Sequence, residues 1–414
     1  MGKVFRERSL SLFTIVTLCI GCSTLLMPYA ENPNEAVEGR VLPLSVANER
    51  SAGTLVVWPW RHPYAMPGDE KEIQEFTGYG PFVEVVGGWN HYLMLAKDGT
   101  VWALGSNSAG QLGYPSRRKT LDGSIGIADH PVPVHGLDNV VAIGASYEIS
   151  VALRSDGTVW AWGGIPGMET SKPVRIDELD GAVRIAAGRF KVVALKASGE
   201  VWEKGSWGLI GEANELPTEV VRRASGVRAI SGDERSFAAV TSEGRVIYWG
   251  DHPFHGSLFL EQYTFCEPGY VNGIDDAVDV AVEQQSMLVV KKDGGVIAWG
   301  RNDGGQLADG TMRPMKHPEV VSGLRDISSL EIRVHGIALD RYGVAWQWGG
   351  TVPEGATIVN SRARGVTKVD LGGNKILDVA AIGWWGGWAA IVGPPVTAIP
   401  AVPAQRLPHE GRTE

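Results

Sequence analysis

A pattern of eight residues returns six times along this chain, and it restricts the fold more than any other feature. It reads Asp98-Gly-Thr-Val-Trp-Ala-Leu-Gly105, then Asp156-Gly-Thr-Val-Trp-Ala-Trp-Gly163 and Ser198-Gly-Glu-Val-Trp-Glu-Lys-Gly205. It continues as Glu243-Gly-Arg-Val-Ile-Tyr-Trp-Gly250, Asp293-Gly-Gly-Val-Ile-Ala-Trp-Gly300 and, more loosely, Tyr342-Gly-Val-Ala-Trp-Gln-Trp-Gly349. Each copy holds two glycines six residues apart. The first glycine predicts a tight hairpin turn, because glycine takes a positive φ at no steric cost. The residues between the glycines alternate with the period of a strand, so Trp160 and Trp162 share a face, as do Trp346 and Trp348.

An apolar stretch precedes every turn, at 83–95, 140–153, 183–195, 227–240, 278–290 and 327–339. Successive turn glycines lie 42 to 58 residues apart. That period exceeds a leucine-rich or ankyrin repeat and suits one four-stranded propeller blade. A blade alone leaves both faces of a small sheet in water. Radial stacking buries them, and the motif tryptophans (Trp102, Trp160, Trp162, Trp202, Trp249, Trp299, Trp346, Trp348) fill the gaps between blades.

The two ends of the repeat region complete the count. A seventh apolar stretch, 377–392, runs into Pro394-Pro395 with no turn motif after it, while Leu55–Arg61 resembles a returning strand with nothing before it. Pairing them closes the ring and removes the open seam. The expected fold is all-β: a seven-bladed β-propeller over 51–393, with an N-terminal strand completing the last blade. Residues 394–414, with five prolines and no period, read as a flexible tail.

Lys3, Arg6 and Arg8 stand before an apolar run from Leu10 to Ile20, the layout of a secretory signal. Export to the periplasm, the cell envelope or the outside is therefore expected. Leu18-Cys19-Ile20-Gly21-Cys22 resembles a bacterial lipoprotein box, with Cys22 as the lipidated residue and a membrane attachment through it; cleavage after Ala30 is the alternative. The leader thus spans 1–22, its end lying between 22 and 30, and 23–50 reads as a linker. With Cys19, Cys22 and Cys266 the only cysteines, processing leaves no intrachain disulfide framework.

A formal net charge of −9 and only short basic spots, Arg117-Arg118-Lys119 and Arg222-Arg223, disfavour nucleic acid as a partner. No nucleophile elbow, phosphate-binding loop, EF-hand loop or His-Glu-x-x-His motif occurs. His252, His255 and Cys266 are too irregularly spaced for a metal site and read as loop residues. Asp98, Asp156 and Asp293 occupy turns, where Asp bonds its own backbone. No catalytic residue, metal or cofactor is indicated.

The repeated residues resemble the regulator of chromosome condensation repeat family. Its blade pattern joins an Ala-Gly-x-x-His-Ser-x-Ala-Leu type strand to a Gly-x-Val-x-x-Trp-Gly strand, followed by Asn-x-x-Gly-Gln-Leu-Gly. The last element stands here as Asn107-Ser-Ala-Gly-Gln-Leu-Gly113 and, altered, as Asn302-Asp-Gly-Gly-Gln-Leu-Ala308. The family histidine is kept only at His91 and His335, with Ile149, Lys191 and Ser286 at matching positions. The resemblance implies a seven-bladed propeller. Family members include a nuclear exchange factor for a small GTPase and secreted bacterial propellers that inhibit β-lactamases, so membership alone selects no function.

A short tip interrupts each apolar stretch at an equivalent place. In register the tips are Trp89-Asn90, Tyr147-Glu148, Arg189-Phe190, Glu234-Arg235, Gln284-Gln285, Arg333-Val334 and Trp384-Trp385. On a closed ring they converge on one face around the shaft. Trp, Tyr and Arg supply most of the energy of protein interfaces. The expected function is a non-catalytic protein-interaction scaffold that uses Trp89, Asn90, Tyr147, Glu148, Arg189, Phe190, Glu234, Arg235, Gln285, Arg333, Trp384 and Trp385. The competing reading has these residues plug the channel. A propeller hydrolase or lyase acting on polysaccharide, or an exchange-factor-like regulator if the leader is spurious, are the alternatives.

Overall fold

The computed structural model describes residues 26–28, 51–58, 74–115, 126–165, 170–205, 221–251, 265–283, 285–333, 335–349, 365–369, 371, 374–381 and 388–395. Seven antiparallel sheets account for nearly all of them. The first blade runs, from shaft to rim, through Phe82–Gly87, His91–Ala96, Val101–Ser106 and Ile127–Pro133. The next five start on the innermost strands Val140–Ser146, Ala182–Gly188, Val227–Gly232, Ala277–Glu283 and Ile327–Ile332. Leu26–Pro28 adds a fifth, outermost strand to the fourth blade, against Phe265–Val271.

The seventh blade closes the ring from both ends of the repeat region. Asn374–Ala381 and Trp388–Pro395 are its inner pair; Thr54–Trp58 and Gln74–Phe76 are its outer pair. Thr54 to Trp58 pair in unbroken register with Val392 to Trp388, the closure expected from the two orphaned sequence ends. Each apolar stretch read as one strand is a hairpin of two, as in Phe82–Gly87 and His91–Ala96. Both arms are aliphatic and the tip between them carries no proline, so the break leaves little mark in the pattern.

The core lies between blades. Buried apolar residues fall into seven clusters, one at each boundary between neighbouring sheets. One joins Leu55, Val57 and Ile391 of the seventh blade to Phe82, Val85 and Met94 of the first, so no boundary is left open. Burying a side chain of this size contributes roughly 1.5–3 kcal/mol. The motif tryptophans divide by position. Trp162, Trp249, Trp299 and Trp348 are fully buried in these boundaries. Trp102, Trp160, Trp202 and Trp346 are half-buried one place earlier on the same face.

Both motif glycines have a geometric cause. The turn glycines Gly99, Gly157, Gly199, Gly244, Gly294 and Gly343 all sit at φ between 81° and 84°. The second set packs its Cα against the tip of the same blade: a Cβ on Gly163 would stand 2.2 Å from the carbonyl oxygen of Glu148. The motif therefore holds each tip in place as well as turning the chain.

Candidate functional site: the tip face

Each tip links the innermost strand to the next one outward, and four of them form a continuous strip. The backbone N–H of Trp89 donates to the carbonyl of Tyr147 at 2.9 Å, tying the first blade to the second. Their rings pack at a centroid distance of 5.2 Å. Arg189 of the third blade lies over the Tyr147 ring at 4.0 Å and donates from Nη2 to the Tyr147 hydroxyl at 3.0 Å. Its guanidinium also covers Phe190 at 5.2 Å, and its backbone N–H donates to the carbonyl of Glu234 on the fourth blade at 2.9 Å. Cation–π contacts and interblade hydrogen bonds thus order the strip from Trp89 to Glu234.

Trp89, Asn90, Tyr147, Glu148, Arg189, Phe190, Glu234, Arg235 and Gln285 are all half-buried, open to solvent on one side. Tyr147 and Gln285 take left-handed φ values of 48° and 74°, a conformation that costs free energy in non-glycine residues and concentrates at functional loops. Glu148 accepts from the Ser108 hydroxyl at 3.1 Å. Two buried acceptors, Asn90 Oδ1 and Glu234 Oε1, have no hydrogen-bond partner among the described residues. Burial, reinforced by Asp233 beside it, pushes the Glu234 carboxyl up to about 7, against the pull of Arg189, Arg333 and Arg235.

Arg333 has a different place. Its side chain is 11% exposed and reaches across the shaft, with Nη1 donating to Asp233 Oδ1 and to Glu283 Oε2, both at 3.0 Å. Nη2 donates to the carbonyls of Gly87, at 2.8 Å, and Ala145, at 3.3 Å. One guanidinium of the sixth blade therefore bonds to the first, second, fourth and fifth, which is the plugging arrangement weighed against partner binding. Trp384, Trp385, Gln284, Val334 and Cys22 lie outside the described residues.

The innermost strands also line a cavity of about 460 Å³, whose walls are aliphatic side chains together with Ser329, Glu84, Arg184, Glu331 and Asp378. These carboxylates belong to no motif in the sequence. Their signal was a lone acid inside an aliphatic run, as in Val83-Glu84-Val85, Leu330-Glu331-Ile332 and Leu377-Asp378-Val379. Among the described residues no group of three or more His, Cys, Asp and Glu side chains is placed to hold a metal ion.

Comparison with known proteins places the repeat. The model of the regulator of chromosome condensation (RCC1) repeat matches residues 98–153 and 293–336, and a second model of the same repeat matches 82–111. The chain is 30% identical over 279 residues to the human E3 ubiquitin-protein ligase HERC2, a match that covers 63% of this chain and 5% of that protein. It is 27% identical over 278 residues to the mouse secretion-regulating guanine nucleotide exchange factor, covering 64% of this chain and 50% of the relative. The chain thus spans half or less of these relatives' own lengths.

Two solved structures share the fold. Prp20p from Saccharomyces cerevisiae, studied for its binding to Gsp1p and histones, superposes with a TM-score of 0.68 at 18% identity, over 87% of this chain and 94% of its own. Human WBSCR16 superposes with a TM-score of 0.66 at 19% identity, over 83% of this chain and all of its own.

Proposed function

Because this chain is a seven-bladed propeller that carries regulator of chromosome condensation repeats, we propose that it is a protein-interaction scaffold whose partner docks on the tip face. The observation that carries this reading is the ordered strip Trp89–Tyr147–Arg189–Phe190, half-exposed on a rigid ring. Pre-ordered aromatic and arginine side chains lose little conformational entropy on binding. Arg333, held by two buried acids, serves beneath the strip as its support. Prp20p, whose binding to Gsp1p and histones has been described, is a precedent for partner binding by this fold.

The leader adds a location: Lys3, Arg6 and Arg8 before the apolar run support export, and Cys22 supports lipid attachment. Replacing Trp89, Tyr147 and Phe190 together by alanine should abolish binding of the partner recovered with the wild-type protein while leaving Tm within a few degrees. Full binding by that variant rejects the assignment.

A second reading, an exchange-factor-like regulator, is favoured by the similarity to the mouse exchange factor. It requires a cytoplasmic chain, so fractionation separates the two. Recovery with the envelope supports the scaffold, and recovery in the cytoplasm supports the regulator.

A further inference from the structure

We propose that the shaft carboxylates Glu84, Glu331 and Asp378 form an acid-stabilised latch that holds the closing blade in the ring and loosens it as the pH rises. Each carboxylate leaves its own blade to bond the innermost strand of the next. Glu331 Oε2 accepts from the Ala381 backbone N–H at 2.9 Å, joining the sixth blade to the seventh. Asp378 Oδ2 accepts from the Val85 N–H at 2.8 Å, joining the seventh to the first. Glu84 Oε1 accepts from the Ile143 N–H at 3.3 Å, joining the first to the second. Both boundaries of the blade assembled from the two chain ends are therefore bridged by a carboxylate. At the fourth boundary the same contact is made by a hydroxyl, Ser231 Oγ to the Val282 N–H at 3.3 Å, which does not titrate in this range.

All three acids line one cavity of about 460 Å³. Among the described residues, Asp279 on the innermost strand of the fifth blade is a further acid, pushed up to about 6 by burial against the pull of the Val280 N–H, Arg184 and Arg228. Glu331 faces Arg333, just past the end of its own strand, and Glu84 from the first blade, and it acts in turn on Tyr92. Asp378 faces Glu84 and Glu331. Arg184 lines the cavity from the third blade. The innermost strand of the second blade, Val140–Ser146, carries no titratable side chain. Ionised carboxylates in this space repel one another, and partial burial disfavours the charge on Glu331 and Asp378. A protonated carboxyl relieves both costs. Its carbonyl oxygen still accepts the neighbouring N–H, and its O–H becomes a donor.

Burial accordingly pushes Glu331 up to about 7, with Arg333 and the Ala381 N–H pulling the other way. Burial, then Glu84, holds Asp378 well above the ordinary aspartate value. For groups raised on folding, the stabilisation is fully present below the unfolded value, which is 4.5 for Glu331, and is lost as the pH rises to about 7.

The test uses the full chain. The melting temperature is measured at pH 5 and pH 8 for wild type, Glu331→Gln, Asp378→Asn and the double variant. Amide exchange of residues 388–393, corrected for intrinsic rates, is followed in the wild type at the same pH values. The latch predicts that wild-type Tm falls by about 5 °C or more from pH 5 to pH 8, and that the double variant loses at least half of that fall. It also predicts that protection of 388–393 drops about tenfold more than that of the third blade. A pH response unchanged by the substitutions, or a loss of protection spread evenly over the blades, overturns the proposal. The exchange measurement needs no variant, so a substitution that fails to fold does not remove the test.

Discussion

Trp162 donates its indole N–H to the backbone carbonyl of Gln111 at 2.8 Å, from the second blade to the loop that ends the motif of the first. Trp348 makes the same bond to Gln306 at 2.8 Å, between the sixth blade and the fifth. This explains why the sequence couples a tryptophan in one repeat with Asn-x-x-Gly-Gln-Leu in the repeat before it. No such loop pattern follows Gly205, and there the Glu203 carboxylate takes the carbonyl's place, accepting from the Trp249 indole at 3.0 Å. Glu203 is in turn paired with the buried Lys191, which stands opposite Gly205 as His91 stands opposite Gly105, and with Arg223 at 3.1 Å. The absence of the loop pattern in this blade is thus compensated.

The two kinds of boundary respond differently to the same substitution. Trp162→Phe removes a neutral hydrogen bond and should cost about 1 kcal/mol. Trp249→Phe removes a bond to a buried carboxylate and should cost about 2–3 kcal/mol. Urea unfolding midpoints of the two variants measure the difference.

The two motif glycines are separated by their surroundings. Gly157 has a φ of 83°, but a Cβ there meets nothing closer than 3.3 Å, so Gly157→Ala should cost about 1–2 kcal/mol. At Gly300 the φ is 107° and a Cβ would stand 2.1 Å from the Gln285 carbonyl oxygen. Gly300→Ala should therefore cost about 3 kcal/mol or more and displace the fifth tip. Thermal unfolding of both variants checks the order.

Removing the central guanidinium should be among the most damaging single changes. Arg333→Met withdraws the cation from between Asp233 and Glu283, whose side chains are 1% and 4% exposed, at a cost of about 3–5 kcal/mol. Arg333→Lys restores charge without the planar fork that spans two acids and two carbonyls, and should recover only part of the loss. Burial and Asp233 already raise Glu283 well above the ordinary glutamate value, and Arg333 opposes that shift. Arg333→Met should consequently destabilise the fold more at pH 8 than at pH 5, as chemical unfolding at the two pH values can show.

The architecture was legible because it is periodic. The paired glycines, the alternating strands and the two orphaned ends at Leu55–Arg61 and 377–392 each leave a local mark, and together they give the closed ring. The tips were legible as positions. The role of Arg333 was not, because its partners lie 50 to 246 residues away and only the closed ring brings them together. The same holds for Glu84 and Asp378, whose hydrogen bond partners belong to the next blade. Local pattern records what a residue does within its own hairpin and is silent on what crosses the shaft.

Site-specific photo-crosslinking shows whether the partner sits on the tip face. A crosslinker replacing Phe190 reports on the strip; one replacing Val320, 78% exposed on the outermost strand of the fifth blade, reports on the rim. A partner docked on the tip face is captured from position 190 and not from position 320. Capture from position 320 alone would contradict that docking.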